Sequence, residues 1–198
     1  MLYVVIALFT AVDIVSNVIA SKLVAIGPLT VPAASFLFPL AYTLIDLVNR
    51  SLGKTGARWV VLGAFGGNVV LVVASSVAVA LPPAAFWTNQ EAYALILGAT
   101  PRIVLASWIA YLISSITDVE LFARLASWPL WQRVIASNAV SLLLDSILFV
   151  GIAFGPLPQV IGSQYLVKLM ITVLSLPLIL LARAAVATRL TQTAVALD

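Results

Sequence analysis

The sequence predicts an all-α integral membrane protein, a compact bundle of six transmembrane helices with both termini in the cytoplasm. Three observations predict it. The 198-residue chain is 63% hydrophobic and only 9% charged, whereas soluble domains carry about 25% charged residues. The apolar residues fall into long runs, and the length allows about six spans of about 20 residues joined by short loops. The basic residues gather in alternate connections: Arg50, Lys54 and Arg58 between runs two and three, Arg124 and Arg133 between four and five, Arg183 and Arg189 at the end of six. An even number of spans puts all of these on one side, which the positive-inside rule makes the cytoplasm.

Residues 1–198 read as one transmembrane domain with no soluble domain, linker or low-complexity tract. The first span is roughly residues 2–26. It lacks a basic start and runs past signal-peptide length, so it is expected to be retained. The second is roughly 31–49, followed by the basic loop RSLGKTGAR, and the third roughly 59–81. The prolines, aromatics and Glu91 of PPAAFWTNQEAYALILGATP predict an interfacial loop with a short helix along the membrane. The fourth and fifth spans are roughly 102–122 and 134–154. The sixth is roughly 165–187, with a kink expected at Pro177. Lys22, Arg102 and Lys168 break the charge pattern. They either snorkel to the outer interface or line an outward-facing cavity.

Composition also excludes chemistry. The chain has no cysteine and no histidine, which removes disulfides, thiolate and imidazole metal sites and the usual general base. No cofactor is expected. The net charge of +3 is scattered, which is not a nucleic-acid footprint. No Walker-type loop is present.

Polar residues inside the apolar runs need a reason. An Asp at a helix centre in lipid costs about 3 kcal/mol. Span one carries Asp13, Ser16, Asn17 and Ser21, most of them on one helical stripe. Span two carries Asp46 within FPLAYTLIDLVNRSLGK, residues 38–54, where an ion pair with Arg50 one turn on competes with a functional role. Span three carries Asn68, with Gly63 and Gly67 as a small-xxx-small pair suited to helix packing. Span four carries Trp108, Tyr111, Ser114, Ser115 and Asp118. Span five carries Ser137, Asn138, Ser141 and Asp145, and Ser137, Ser141 and Asp145 share one face. Span six carries Lys168, Thr172 and Ser175. Single Ser and Thr residues in membrane helices mostly bond their own backbone. Asp145 is the sharpest signal, because it lies near mid-span and cannot easily snorkel.

Carboxylates and amides on inward faces of a small bundle describe a polar pocket. Either a carrier of a small polar solute or an intramembrane enzyme would use one. A rhomboid-type serine protease needs a His, and an aspartyl intramembrane protease needs a Tyr-Asp and Gly-x-Gly-Asp pair, neither of which is present. A carrier, or the solute-binding subunit of a larger transporter, remains. The candidate solute-binding residues are Asn17, Asp46, Asn68, Trp108, Tyr111, Asp118, Ser137, Asn138, Ser141, Asp145 and Lys168. A carboxylate can accept a ring N–H and a neighbouring amine together. Tyr42, Trp108 or Tyr111 can stack on a flat ring, worth about 1–3 kcal/mol.

The succession SNVIASK, FPLAYTLIDLVNRSLGK, ASWIAYLISSITDVELFARL, LWQRVIASNAVSLLLDSILFVGIAF and YLVKLMITVLSLPLILL resembles the vitamin-uptake-type transporters, also known as queuosine precursor transporters. The likeness runs from about residue 13 to 183. It implies a six-helix inner-membrane importer of 7-deazaguanine compounds, the nitrile (preQ0) and aminomethyl precursors of queuosine, or of archaeosine in archaea. It carries function onto Asn17, Asp46, Asp118, Ser137, Asp145 and Lys168. Family members often have Gln where this chain has Ser115 and Leu142, and an acidic residue where it has Arg50. Expected partners are the small-molecule solute and the lipid bilayer. A homodimer stays open, as does an ATPase module if the chain is the binding subunit of an ATP-energised transporter. Proton coupling, sodium coupling and facilitated diffusion also stay open.

Overall fold

The computed structural model describes residues 2–174, leaving out the side chains of Pro39, Tyr42, Asp46 and Arg50. Ser175, Pro177, Arg183, Arg189 and the rest of the expected sixth span lie outside the described residues.

Helix α1 (Leu2–Ile19) is apolar along nearly its whole length. Its hydroxyls are absorbed by its own backbone: Thr10 donates to the Ile6 carbonyl at 3.1 Å and Ser16 to the Val12 carbonyl at 2.7 Å, the back-bonding that lets such residues sit in an apolar helix. The helix stops at Ile19, short of the expected Ile26. Strands β1 (Leu23–Ile26) and β2 (Leu29–Pro32) follow as an antiparallel hairpin pairing Leu23 with Pro32 and Ile26 with Leu29. Gly27 takes φ 56° and Pro28 fixes its own φ near about −65°, the sign pattern of a type II′ hairpin turn. A hairpin leaves outer backbone groups that lipid cannot satisfy. The Thr30 N–H finds its acceptor on Ser163 Oγ at 3.1 Å. The described residues are mostly helical, as expected, and this hairpin departs from the all-α expectation.

A 3-10 turn (Ala33–Phe36) leads into α2 (Phe38–Ala80). The basic segment expected as a loop is helical apart from Gly53, whose φ 68° and ψ −179° break α2 into two arms. That backbone region is essentially reserved for glycine. Helix α3 (Gln90–Leu97) has no buried residue, as expected of a short surface helix. The Gln90 amide donates to the Val79 carbonyl at 3.1 Å and ties α3 to the end of α2. Helix α4 (Thr100–Arg124) starts with Pro101 in its first turn, where the missing N–H costs nothing. Helix α5 (Leu130–Ala153) packs closely against α4. Gly155, at φ 97°, turns the chain into α6, helical over residues 158–174.

Among the described residues, four helical segments are long and apolar enough to cross a membrane: Leu2–Ile19, Ser51–Ala80, Gln90–Arg124 and Leu130–Ala153. The expected second span corresponds to the first arm of α2, shortened because β2 and the 3-10 turn take up its start. The expected sixth span begins within α6. Large apolar side chains such as Trp59, Val70, Ile116, Val119 and Leu174 are exposed. Water would penalise so continuous an apolar surface, and hydrocarbon would not. The inner packing has two centres. One gathers Ile103, Ala106, Phe149 and Val150, and the other Phe9, Leu44 and Ala64.

A candidate solute-binding cavity

The helices line a partly open cavity of about 180 Å³. Helix α1 contributes Phe9, Asp13, Ser16 and Asn17, the second arm of α2 contributes Ala64, Phe65 and Asn68, and α4 contributes Trp108 and Tyr111. Asp145 and Phe149 come from α5, Lys168 from α6, and Phe38 from the start of α2. The space lies below the roughly 300–1,000 Å³ of drug-sized sites and far above what one water needs. It suits a small solute.

Two buried polar sets face this space. The first bridges α1 and α2. The Asn17 amide donates to Asn68 Oδ1 at 2.9 Å and to the Asp13 carbonyl at 3.2 Å. The Asn68 amide donates to Asp13 Oδ2 at 2.5 Å and to the Ala64 carbonyl at 3.1 Å. The helices approach closely here. A Cβ on Gly67 would meet Ile14 Cδ1 at 2.9 Å, while one on Gly63 would meet nothing within 4 Å. Of the expected glycine pair, Gly67 is the member at the contact. The second set is the ion pair of Lys168 Nζ with Asp145 Oδ2, joining α6 to α5. Lys168 is 6% exposed, and its Nζ also lies 4.5 Å from the centroid of the Phe38 ring. The same wall carries an aromatic group. Phe65 packs tilted on Trp108 at 5.1 Å and edge-on to Tyr111 at 6.0 Å between ring centroids. The Trp108 Nε1–H is buried without an acceptor among the described residues.

Six of the sequence candidates therefore line one cavity: Asn17, Asn68, Trp108, Tyr111, Asp145 and Lys168. Lys168 is a wall residue, while Lys22 and Arg102 are exposed at the surface. Arg102 donates to the Ile152 carbonyl near the end of α5. Four candidates are not on the described wall. Ser141 donates to Asp118 Oδ1 at 3.4 Å between α5 and α4, Ser137 is buried and donates to the Val134 carbonyl, and Asn138 lies on the same helix. The Ser137–Ser141–Asp145 stripe thus reaches the cavity only at Asp145. The side chain of Asp46 lies outside the described ones. The sequence reading left out Asp13 as a candidate, although it stands one helical turn before Asn17 on the same stripe. Phe65 and Phe38 carried no signal, since an apolar residue in an apolar run is unmarked.

A helical membrane protein that holds a small cavity lined by aromatic rings, amides and an ion pair has the construction of a solute transporter. Residues 32–182 match the model of the family described as "Putative vitamin uptake transporter". The chain belongs to that family, and it is a multi-pass protein of the cell membrane. It is also similar to the "Probable queuosine precursor transporter" of Bacillus subtilis (strain 168), with 28% identity over 173 residues, covering 82% of this chain and 76% of the relative. No solved structure matches.

Proposed function

We propose that the protein imports a small planar polar solute, a 7-deazaguanine precursor of queuosine or archaeosine, through a bundle of six spans with both termini in the cytoplasm. The observation that carries this reading is the joint lining of one cavity by Asn17, Asn68, Trp108, Tyr111, Asp145 and Lys168. A flat ring would stack against Trp108 or Tyr111. Its polar edges would meet Asn17 and Asp145. The Trp108 N–H, which has no acceptor among the described residues, supports an acceptor on the solute, because a buried donor without a partner is costly. The named Bacillus subtilis relative supports a queuosine precursor as the solute. No observation favours an ATP-energised subunit.

The test is uptake of the labelled nitrile precursor into cells that lack both its synthesis and their own importer. Expression of this chain should let the label accumulate and restore queuosine in transfer RNA. No accumulation with the protein present in the membrane would end the reading. Repeating the uptake with a proton ionophore, and without sodium, separates the modes of coupling.

A further inference from the structure

The α1–α2 network fixes which way each of its amides faces, and that determines what the cavity can read. An ionised carboxylate only accepts hydrogen bonds. The Asn68 NH₂ group faces Asp13 Oδ2 at 2.5 Å, so this oxygen is an acceptor. The other Asn68 hydrogen goes to the Ala64 carbonyl. Asn68 Oδ1 is thereby turned to Asn17, whose NH₂ group must face it in turn, at 2.9 Å. The second Asn17 hydrogen goes to the Asp13 carbonyl. Every side-chain N–H in the chain of contacts is now used. What remains is acceptor only: Asn17 Oδ1 and Asp13 Oδ1, one turn apart on the same helix face, with both residues on the cavity wall. The donors of the wall lie on other helices. They are the Trp108 N–H and the hydroxyls of Ser107 and Tyr111 on α4, and the hydrogens of Lys168 on α6 beyond the one Asp145 accepts.

We propose that Asp13, with Asn17 locked beside it, is the specificity-determining pair of this cavity and selects flat rings that carry an exocyclic amine next to a ring N–H. This rests on the import of a planar solute argued above and adds the edge by which the solute is chosen. A ring lacking the amine leaves Asp13 Oδ1 without a donor, while Oδ2 keeps the Asn68 amide. Such a site rejects an analogue more strongly than a missing apolar contact would.

The experiment uses the full-length protein in detergent and titration calorimetry with paired heterocycles: 7-deazaguanine against 7-deazahypoxanthine, guanine against hypoxanthine, and pterin against its analogue without the amine. The natural protein should prefer the amine-bearing member by about ten- to a hundredfold, the scale of a hydrogen bond to a charged group. Asp13→Asn should collapse that ratio towards one while losing less affinity for the amine-free member. Asp13→Glu, which keeps the charge, should keep a preference at reduced affinity. Equal weakening of both members by Asp13→Asn would make Asp13 a structural residue and overturn the proposal. Absence of any amine preference in the natural protein would overturn it without recourse to a variant. The two readings fail separately. Amine-selective binding of guanine or pterin without binding of 7-deazaguanine removes the solute reading and leaves Asp13 in place. Binding of 7-deazaguanine and 7-deazahypoxanthine alike does the reverse. No binding of any amine-bearing ring overturns both.

Discussion

The two polar sets of the cavity solve the same problem in different ways. On the α1–α2 side, one carboxylate and two amides share four hydrogen bonds, two of them to backbone carbonyls. No single contact carries the arrangement, and its polarity is fixed. On the α5–α6 side, a full positive charge meets a full negative one at Lys168 and Asp145, with the Phe38 ring beside the Lys168 ammonium. Each set bridges two helices and so closes one seam of the cavity. The difference is in what is left behind when a member is removed. A truncated amide network leaves donors and acceptors short of a partner. A truncated ion pair leaves an uncompensated, largely buried charge, which is worse.

The largest effect should therefore follow Lys168→Met. Asp145 keeps its charge and loses its partner, and the cost should be about 3–5 kcal/mol. Thermal unfolding in detergent would show it as a large loss of melting temperature. The double variant Asp145→Leu with Lys168→Met should recover most of that stability, since replacing both partners by apolar groups is often neutral. It should nonetheless abolish uptake, because the cavity has lost both charges. A double variant as unstable as the single one would mean that the loss comes from the packing of these side chains and not from the unpaired charge.

Asn68→Ala should come next. It takes the middle link out of the α1–α2 network and leaves Asp13 Oδ2 without its donor and Asn17 without one acceptor. The expected cost is about 1–3 kcal/mol. Uptake should fall further than stability, since Asn17 is then free to rotate and present either face of its amide. Stability and uptake falling in strict proportion would break the contrast, making the network a brace and nothing more.

This contrast also shows what the sequence could and could not disclose. Asp145, Asn17, Asn68 and Lys168 stand out because a polar side chain in an apolar run needs a partner. Which partner each finds is not in the pattern. Lys168 and Asp145 lie on different helices, and nothing in their spacing announces the pair. Residues 23–26 and 31–32 read as the ends of two apolar runs because a short apolar stretch fits helix and strand alike. The Gly27–Pro28 pair was the turn signal that decides between them. Asp13 shared a stripe with Asn17 and was still passed over, since a stripe marks a face and not the depth at which a cavity opens. The same limit acts in reverse on α5. Ser137, Ser141 and Asp145 share a face at helical spacing, yet only the last of them lines the cavity, while Ser141 meets Asp118 on α4 and Ser137 bonds its own helix.

The smallest effect should follow from that geometry. Ser141 is buried, but its hydroxyl meets Asp118 Oδ1 only at 3.4 Å and the Asn138 carbonyl at 3.3 Å. Both bonds are long, and neither partner lines the described wall of the cavity. Ser141→Ala removes one oxygen and leaves Asp118 able to find other donors near the helix ends. The expected loss is about 1 kcal/mol or less, with uptake within about twofold of the natural protein, as for changes away from a site. A severalfold loss of uptake at unchanged melting temperature would place Asp118 and Ser141 on the solute path after all. The path would then run along the α4–α5 seam as well as between the two polar sets.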